Sequence, residues 1–142
     1  VILRYEIESA LINGTMEAED LPEMWDDKMQ SYLDLSTTGN YRDGCLQDIH
    51  WTDGSFGYFP AYTLGALNAA QLFSAFRKQH PDWQQMMSTG DISPIRSWLK
   101  EHIWSKGRLL DSQQLIETAT GEQTNPDYFI DYVKERYLEE NY

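Results

Sequence analysis

The chain has 142 residues, 41% of them apolar and 13% aromatic, and its formal net charge is −12. This composition is typical of one folded domain and argues against a disordered chain. The acidic balance argues against nucleic acid and anionic membrane surfaces as partners, and no apolar run approaches the roughly 20 residues of a membrane span. A single cysteine, Cys45, is predicted to be a small packing residue; it permits no internal disulfide and fits a reducing compartment.

Helical signals recur along the whole chain, and apolar alternation with a period of two residues is essentially absent. Most predicted helices begin at a capping residue or a proline, and most end at a glycine or before a proline. We therefore predict an all-α fold of six or seven helices. In chain order these lie in LRYEIESALING, EDLPEMWDDKMQSYLDL, PAYTLGALNAAQLFSAFRKQH, a short stretch near Trp83 to Met87, SPIRSWLKEHIWSKG, DSQQLIETATG and NPDYFIDYVKERYLEE.

Individual residues are assigned to helix ends and to the core. Asp20, Ser93 and Asp111 are predicted N-caps, and the last helix is predicted to start at Asn125 and Pro126. The acidic run 139–141 is predicted to be a solvated face. Six aromatic residues at helical spacing are predicted to be core: Trp98, Trp104, Tyr128, Phe129, Tyr132 and Tyr137.

One stretch, GCLQDIHWTDGSFGYFPAYTLG, concentrates polar groups and aromatic rings between glycines. Its polar and aromatic members include Gln47, Asp48, His50, Trp51, Tyr58 and Tyr62. Tyr58 precedes a helix that begins at Pro60, and Tyr62 lies in its first turn, where developing negative charge is favoured. With an N–H donor from His50, these phenols have the components of an oxyanion-stabilising pocket. Gly54 and Gly57 permit positive φ or a close approach to a ligand. The structural alternative is a buried loop with a satisfied histidine.

The segment GCLQDIHW, residues 44–51, matches the G-x-x-Q-D-x-H-W signature and so resembles the carboxypeptidase Taq family of zinc metallocarboxypeptidases. LRYEIESALING, DISPIRSWLKEHIWSKG and ATGEQTNPDYFIDYVKERY are similar to the C-terminal region of the same family. The resemblance implies a largely helical, two-lobed, cytoplasmic and usually homodimeric enzyme. Such an enzyme removes single residues from peptide C-termini with a divalent metal, generally zinc.

The resemblance also implies roles for individual residues. His50 and Tyr62, with Tyr58 as second candidate, would donate hydrogen bonds to the oxyanion of the transition state. Gln47 and Asp48 would orient the imidazole or bind substrate backbone. Gly57 joins this second group as a predicted substrate-binding position.

The family's metal-binding His-Glu-x-x-His helix, its downstream glutamate segment and its carboxylate-binding arginine segment are missing from this sequence. The opening VILRYEIESALI lacks an initiator methionine and has the pattern of a helix already under way. We therefore expect residues 1–142 to be a single helical region, the C-terminal part of a catalytic domain, with no metal site or activity of its own and a tendency to self-associate. The alternative is a non-catalytic helical interaction or dimerisation module derived from the same fold.

Overall fold

The computed structural model describes residues 1–138, and the acidic run 139–141 lies outside them. Over those residues the chain is all-α, with seven α-helices and no strand, as predicted. None of these helices is long and apolar enough to span a lipid bilayer. The α-helices are α1 (Ile2–Ile12), α2 (Leu21–Leu33), α3 (Pro60–Gln79), α4 (Trp83–Ser88), α5 (Ser93–His102), α6 (Ser112–Thr120) and α7 (Asp127–Tyr137). Two 3₁₀ helices, Ala18–Asp20 and Trp104–Lys106, lie between them.

The chain divides into two compact units, and the division falls after the first turn of α3. The first unit, Val1–Thr63, has a core in which one face of α1 packs with α2 and the following loop. Because burial of these apolar side chains removes them from water, this core is the main source of stability in the unit. Its buried members are Leu3, Ile7, Met16, Trp25 and Cys45. The buried position of Cys45 confirms its predicted packing role, and burial raises the pKa of its thiol.

Helix α1 is also joined to α2 by polar contacts. The carboxylate of Glu6 accepts hydrogen bonds from Lys28 Nζ at 2.6 Å and from the Tyr32 hydroxyl at 2.7 Å. Both hydrogen bonds hold the pKa of Glu6 below its ordinary value, and the bond from Lys28 has the larger effect. These contacts fix the pairing of the two helices that support the loop of residues 44–59.

The second unit begins at Leu64 and has its own core on α3, α5 and α6. Its buried apolar members are Ala75, Phe76, Trp98 and Ala119. The side chain of Gln71, 1% exposed, crosses from α3 to the segment after α6. Its Nε2 donates to Thr120 Oγ1 at 2.8 Å, and its Oε1 accepts from the backbone N–H of Asn125 at 2.9 Å. A buried amide with both ends bonded satisfies backbone groups that have no helical partner.

The predicted cap at Asp111 is confirmed. Its carboxylate accepts from the backbone N–H of Gln114 at 2.9 Å, and α6 ends at Gly121 with φ +96°. At the start of α7, Pro126 is the N-cap, and Asn125 accepts from the backbone N–H of Asp127 at 2.9 Å. The sequence pattern located both helix starts because the capping group lies within three residues of the N–H it satisfies.

One predicted cap is wrong and another is correct in position only. Ser93 is the first residue of α5, whose N-cap is Ile92, and the carboxylate of Asp91 accepts from the Ser93 backbone N–H at 3.0 Å. Asp20 is the N-cap of α2, as predicted, but its side chain makes no cap bond there. Its carboxylate instead accepts from the backbone N–H of Glu17 at 3.0 Å and closes the 3₁₀ helix before α2.

Half of the predicted aromatic core is also wrong. Trp98 is buried, whereas Trp104, Tyr132 and Tyr137 are exposed. Helix α5 ends at His102, so Trp104 leaves the helical face that Trp98 shares with the core. Spacing alone cannot show which helical faces have a neighbour to pack against.

Candidate functional site

His50 and Tyr62 lie together in the first unit. The imidazole Nε2 and the Tyr62 hydroxyl oxygen are 3.0 Å apart, a hydrogen-bond distance. His50 is in the loop before α3, and Tyr62 is in the first turn of that helix, which Pro60 begins as predicted. The sequence-predicted pair is therefore brought together, with the phenol held at the start of a helix.

Two further rings surround the imidazole. Phe59 is buried, and its ring centroid lies 4.5 Å from that of His50. The Tyr58 ring lies 5.6 Å from the imidazole and 5.4 Å from the Tyr62 ring, which it meets edge to face. Aromatic pairs at these separations favour such tilted and edge-on arrangements. The four rings form one cluster, which we call the ring cluster: His50, Tyr58, Phe59 and Tyr62.

The ring cluster is open on one side. Tyr58 is 51% exposed and Tyr62 is 50% exposed, while the imidazole is half-buried against Phe59. The imidazole Nδ1 is a buried atom that has no hydrogen-bond partner among residues 1–138. The cluster thus presents two phenol groups outward and keeps the far nitrogen of His50 away from water.

The loop reaches this conformation through its glycines. Gly54 and Gly57 have φ of +73° and +79°, the left-handed region in which a side chain is strained. The backbone N–H of Ser55 donates to the carbonyl of His50 at 2.7 Å and closes the turn between them. Of the two alternatives that the sequence allowed for these glycines, positive φ is the one observed at both.

Asp48 pairs with an arginine of helix α1. The Arg4 guanidinium donates to Asp48 Oδ2 at 2.5 Å, and its carbon lies 4.8 Å from the Trp25 ring centroid and 5.3 Å from that of Phe59. A guanidinium stacked on aromatic faces and bonded to a carboxylate is held in one orientation. Asp48 therefore attaches the loop to α1, and it makes no direct hydrogen bond to the imidazole of His50 within the described chain.

Gln47 has a local role in the loop. Its side-chain Nε2 donates to the carbonyls of Asp43 and Gly44, each at 3.1 Å. The amide thus satisfies backbone groups in the turn that precedes His50. Substrate contacts by Gln47, Asp48 and Gly57 stay a prediction.

Sequence reasoning missed Glu8, which is 1% exposed on α1. Its Oε1 accepts from the indole N–H of Trp51 at 2.9 Å, and its Oε2 accepts from the backbone N–H of Gly57 at 3.2 Å. The indole ring of Trp51 meets that of Trp25 edge to face at 6.1 Å. The partners of Glu8 lie 43 and 49 positions away along the chain, so no local sequence signal indicates them.

Comparison with known proteins assigns the chain to the metallopeptidases. Residues 1–137 match the family of carboxypeptidase Taq (M32) metallopeptidases, and the chain belongs to this family. The resemblance carried by the G-x-x-Q-D-x-H-W signature is therefore confirmed.

Individual relatives agree with that assignment over nearly the whole chain. Thermostable carboxypeptidase 1 of Pyrococcus furiosus is 40% identical over 138 residues, which are 97% of this chain and 28% of that protein. Carboxypeptidase 1 of Bacillus subtilis is 40% identical over 137 residues, 96% of this chain and 27% of that protein. The solved structure of metallocarboxypeptidase 1 of Trypanosoma cruzi is 45% identical, with a TM-score of 0.91 over 96% of this chain and 29% of that one. The chain thus spans less than a third of each of these relatives.

A metallopeptidase requires a divalent metal, and the donor groups of residues 1–138 do not fit one. No three of the His, Cys, Asp and Glu side chains in that range are grouped so that they could hold an ion. A catalytic zinc takes about three protein ligands and a water. His80 and His102 instead donate through Nδ1 to carbonyls of their own helices, those of Phe76 at 3.2 Å and Trp98 at 2.9 Å.

Proposed function

We propose that this chain forms one wall of the active site of a metal-dependent carboxypeptidase and that the hydroxyl of Tyr62 donates a hydrogen bond to the substrate. The acceptor is the oxygen of the scissile peptide carbonyl, which gains negative charge in the transition state. The observation that carries the proposal is the 3.0 Å bond between His50 Nε2 and a Tyr62 phenol that is half exposed. A donor held in place before the reaction stabilises such charge without a reorganisation cost.

The direction of the hydrogen bond decides which proton is available. A neutral imidazole carries one N–H and one lone pair. Nδ1 of His50 is buried without a partner among the described residues, so a proton there would be an orphaned donor. Because buried N–H groups without an acceptor are rarer than under-used acceptors, we assign the proton to Nε2. His50 then donates to the phenol oxygen, and the Tyr62 hydroxyl hydrogen points to the substrate.

Tyr58 is the second donor in this proposal. Its phenol is 51% exposed, and its ring packs on that of Tyr62. The substrate backbone would run beside Gly57, where the positive φ and the missing side chain leave space. Asp48 and Gln47 act by holding the loop, through Arg4 and through the loop carbonyls.

The remaining parts of the enzyme lie on polypeptide outside this chain. We assign to that polypeptide the divalent metal, zinc by the family resemblance, together with the general base and the arginine that binds the substrate's terminal carboxylate. Residues 1–142 are then the C-terminal part of the catalytic domain, and the substrates are peptides from which single C-terminal residues are removed. Within residues 1–138, no three His, Cys, Asp or Glu side chains are grouped so that they could bind a metal ion, and this supports the division.

We also propose a cytoplasmic homodimer without a nucleic-acid partner. One cysteine and no internal disulfide are compatible with a reducing compartment. A net charge of −12 disfavours contact with a polyanion. Exposed apolar side chains on α1, Ile2 and Ile12 among them, offer surface for association with further polypeptide.

The test is Tyr62→Phe in a full-length protein that carries this chain, with a short N-acylated peptide as substrate. Loss of one transition-state donor is expected to lower kcat about 10²–10³-fold. Tyr41→Phe is the matched control, because Tyr41 is an exposed tyrosine of the same unit and outside the ring cluster; its kcat should not change. An unchanged kcat for Tyr62→Phe removes Tyr62 from the mechanism. A full-length protein with no peptidase activity when supplied with zinc supports the non-catalytic module instead.

A further inference from the structure

We infer that Glu8 is a positioning residue of the active site: its buried carboxylate holds the loop that carries His50 and Tyr58 at Trp51 and Gly57, and so sets the His50–Tyr62 bond. The inference rests on the proposed function. It adds to that function a residue on another element, α1, which touches neither the substrate nor the ring cluster by hydrogen bond.

The contacts of Glu8 join two points of one loop. One oxygen accepts from the indole N–H of Trp51, the residue after His50, at 2.9 Å. The other oxygen accepts from the backbone N–H of Gly57, the residue before Tyr58, at 3.2 Å. A single carboxylate therefore fixes the chain directly beside His50 and directly beside Tyr58.

Burying the Glu8 carboxylate costs folding free energy, and a purely structural contact would not require that cost. Glu8 is 1% exposed within this chain and has no ion-pair partner in the described part of it. A buried carboxylate held by neutral donors gives up water and gains only two hydrogen bonds in return. Local choices that cost stability are concentrated at functional sites.

The pair that Glu8 supports depends closely on position. N–H···O bonds have donor–acceptor distances of about 2.7–3.2 Å, so the 3.0 Å separation between His50 Nε2 and Tyr62 tolerates little movement of the loop. A catalytic group misplaced by about 1 Å can lose about 10²-fold in rate. Loss of either contact between Glu8 and the loop is therefore expected to lower the catalytic rate before it unfolds the protein.

The chain supplies a matched control on the same helix. Glu6 also accepts two side-chain hydrogen bonds, from Lys28 and Tyr32, but both come from α2 and not from the loop. Glu6→Gln and Glu8→Gln each replace a carboxylate by an amide that accepts through one oxygen. The difference in kcat between the two variants measures what the contacts of Glu8 with the loop contribute to catalysis.

The experiment compares both variants in the full-length protein. Glu8→Gln is expected to lower kcat about 10- to 10²-fold with KM nearly unchanged, because a positioning defect acts on the reacting geometry. Glu6→Gln should leave kcat unchanged even where it lowers the unfolding temperature. A kcat for Glu8→Gln equal to that of the unmodified protein overturns the inference.

A double-mutant cycle separates positioning from a general loss of stability. If Glu8 acts through the His50–Tyr62 pair, Glu8→Gln should cost little further kcat once Tyr62→Phe is present. Fully additive losses in kcat would mean that Glu8 acts elsewhere and would overturn the inference. Should Glu8→Gln fail to fold, Trp51→Phe takes its place in the cycle, because it removes one of the two bonds to Glu8 and keeps an aromatic ring.

A spectroscopic readout distinguishes failure of this inference from failure of the proposed function. If Tyr62→Phe leaves kcat unchanged, the proposed function fails, and the imidazole ¹⁵N signals of His50 decide the role of Glu8. A shift of those signals in Glu8→Gln, absent in Glu6→Gln, shows that Glu8 sets the position of the imidazole. Signals that stay in place overturn the inference whatever the kinetics.

Discussion

The imidazole Nε2 of His50 and the hydroxyl oxygen of Tyr62 are hydrogen-bonded at 3.0 Å, and the loop between these residues brings the N-terminal turn of α3 against the imidazole. The bond joins a half-buried imidazole to a phenol at the surface. If the imidazole donates in this bond, the hydroxyl proton of Tyr62 is free to bind a ligand. If the phenol donates, it is not.

The three histidines of the chain should show two different tautomers. His80 and His102 have Nδ1 within 3.2 Å and 2.9 Å of a helix carbonyl, which can only accept, so both carry the proton on Nδ1. For His50 we expect the proton on Nε2. Long-range ¹H–¹⁵N correlation of ¹⁵N-histidine-labelled protein at mildly alkaline pH measures all three. Three identical tautomers would contradict the proposed direction of the His50–Tyr62 bond.

Two glycine substitutions should change stability in opposite directions. Gly57 has φ +79°, so Gly57→Ala places a Cβ in the left-handed region at a cost of about 1–2 kcal/mol. Gly65 lies inside α3, where a Cβ would meet no atom within 4 Å, so Gly65→Ala should stabilise the chain by about 0.5–1 kcal/mol. Urea unfolding of this chain measures both free energies. A loss of stability in Gly65→Ala would contradict the open surroundings seen there.

The pH dependence of stability should include a contribution from Asp26. Its carboxylate accepts from the Thr38 hydroxyl at 2.7 Å and from the backbone N–H of Thr37, and these bonds, that of Thr38 first, hold its pKa below the ordinary value. A carboxyl with a lowered folded-state pKa binds its proton more weakly when folded than when unfolded. The stability it contributes is present above the unfolded pKa of about 3.9 and is lost as the pH falls through the folded value.

The measurement is the urea midpoint of this chain between about pH 6 and pH 2, across the carboxyl range. Asp26→Asn should be less stable than the unmodified chain at pH 6, and the difference should shrink in acid. Asp27→Asn is the control, since Asp27 is exposed on the same helix and its side chain makes no hydrogen bond to the described residues. A difference between Asp26→Asn and the unmodified chain that is constant with pH would rule out this contribution.

Local signals explain why most of the helix pattern was predictable. The N-cap at Asp111, the helix start at Pro60 and the glycine ends of helices each depend on atoms within a few residues of one another. The error at Ser93 arose because the neighbouring carboxylate of Asp91 bonds the Ser93 backbone N–H. Asp20 is the N-cap of α2 as predicted, but its carboxylate bonds the backbone N–H of Glu17 instead of one in α2. Trp104 was wrongly predicted to be core because α5 ends at His102 and does not continue to Gly107.

Within the site, the sequence determined which residues share the loop and the first helical turn, because neighbours in sequence are also neighbours in space. The proximity of His50, Tyr58 and Tyr62 was predictable for that reason. Only the tertiary structure decided that Glu8 holds the loop from α1, over 43 to 49 positions along the chain. Packing of a helix face selects such partners, and no local pattern carries that information.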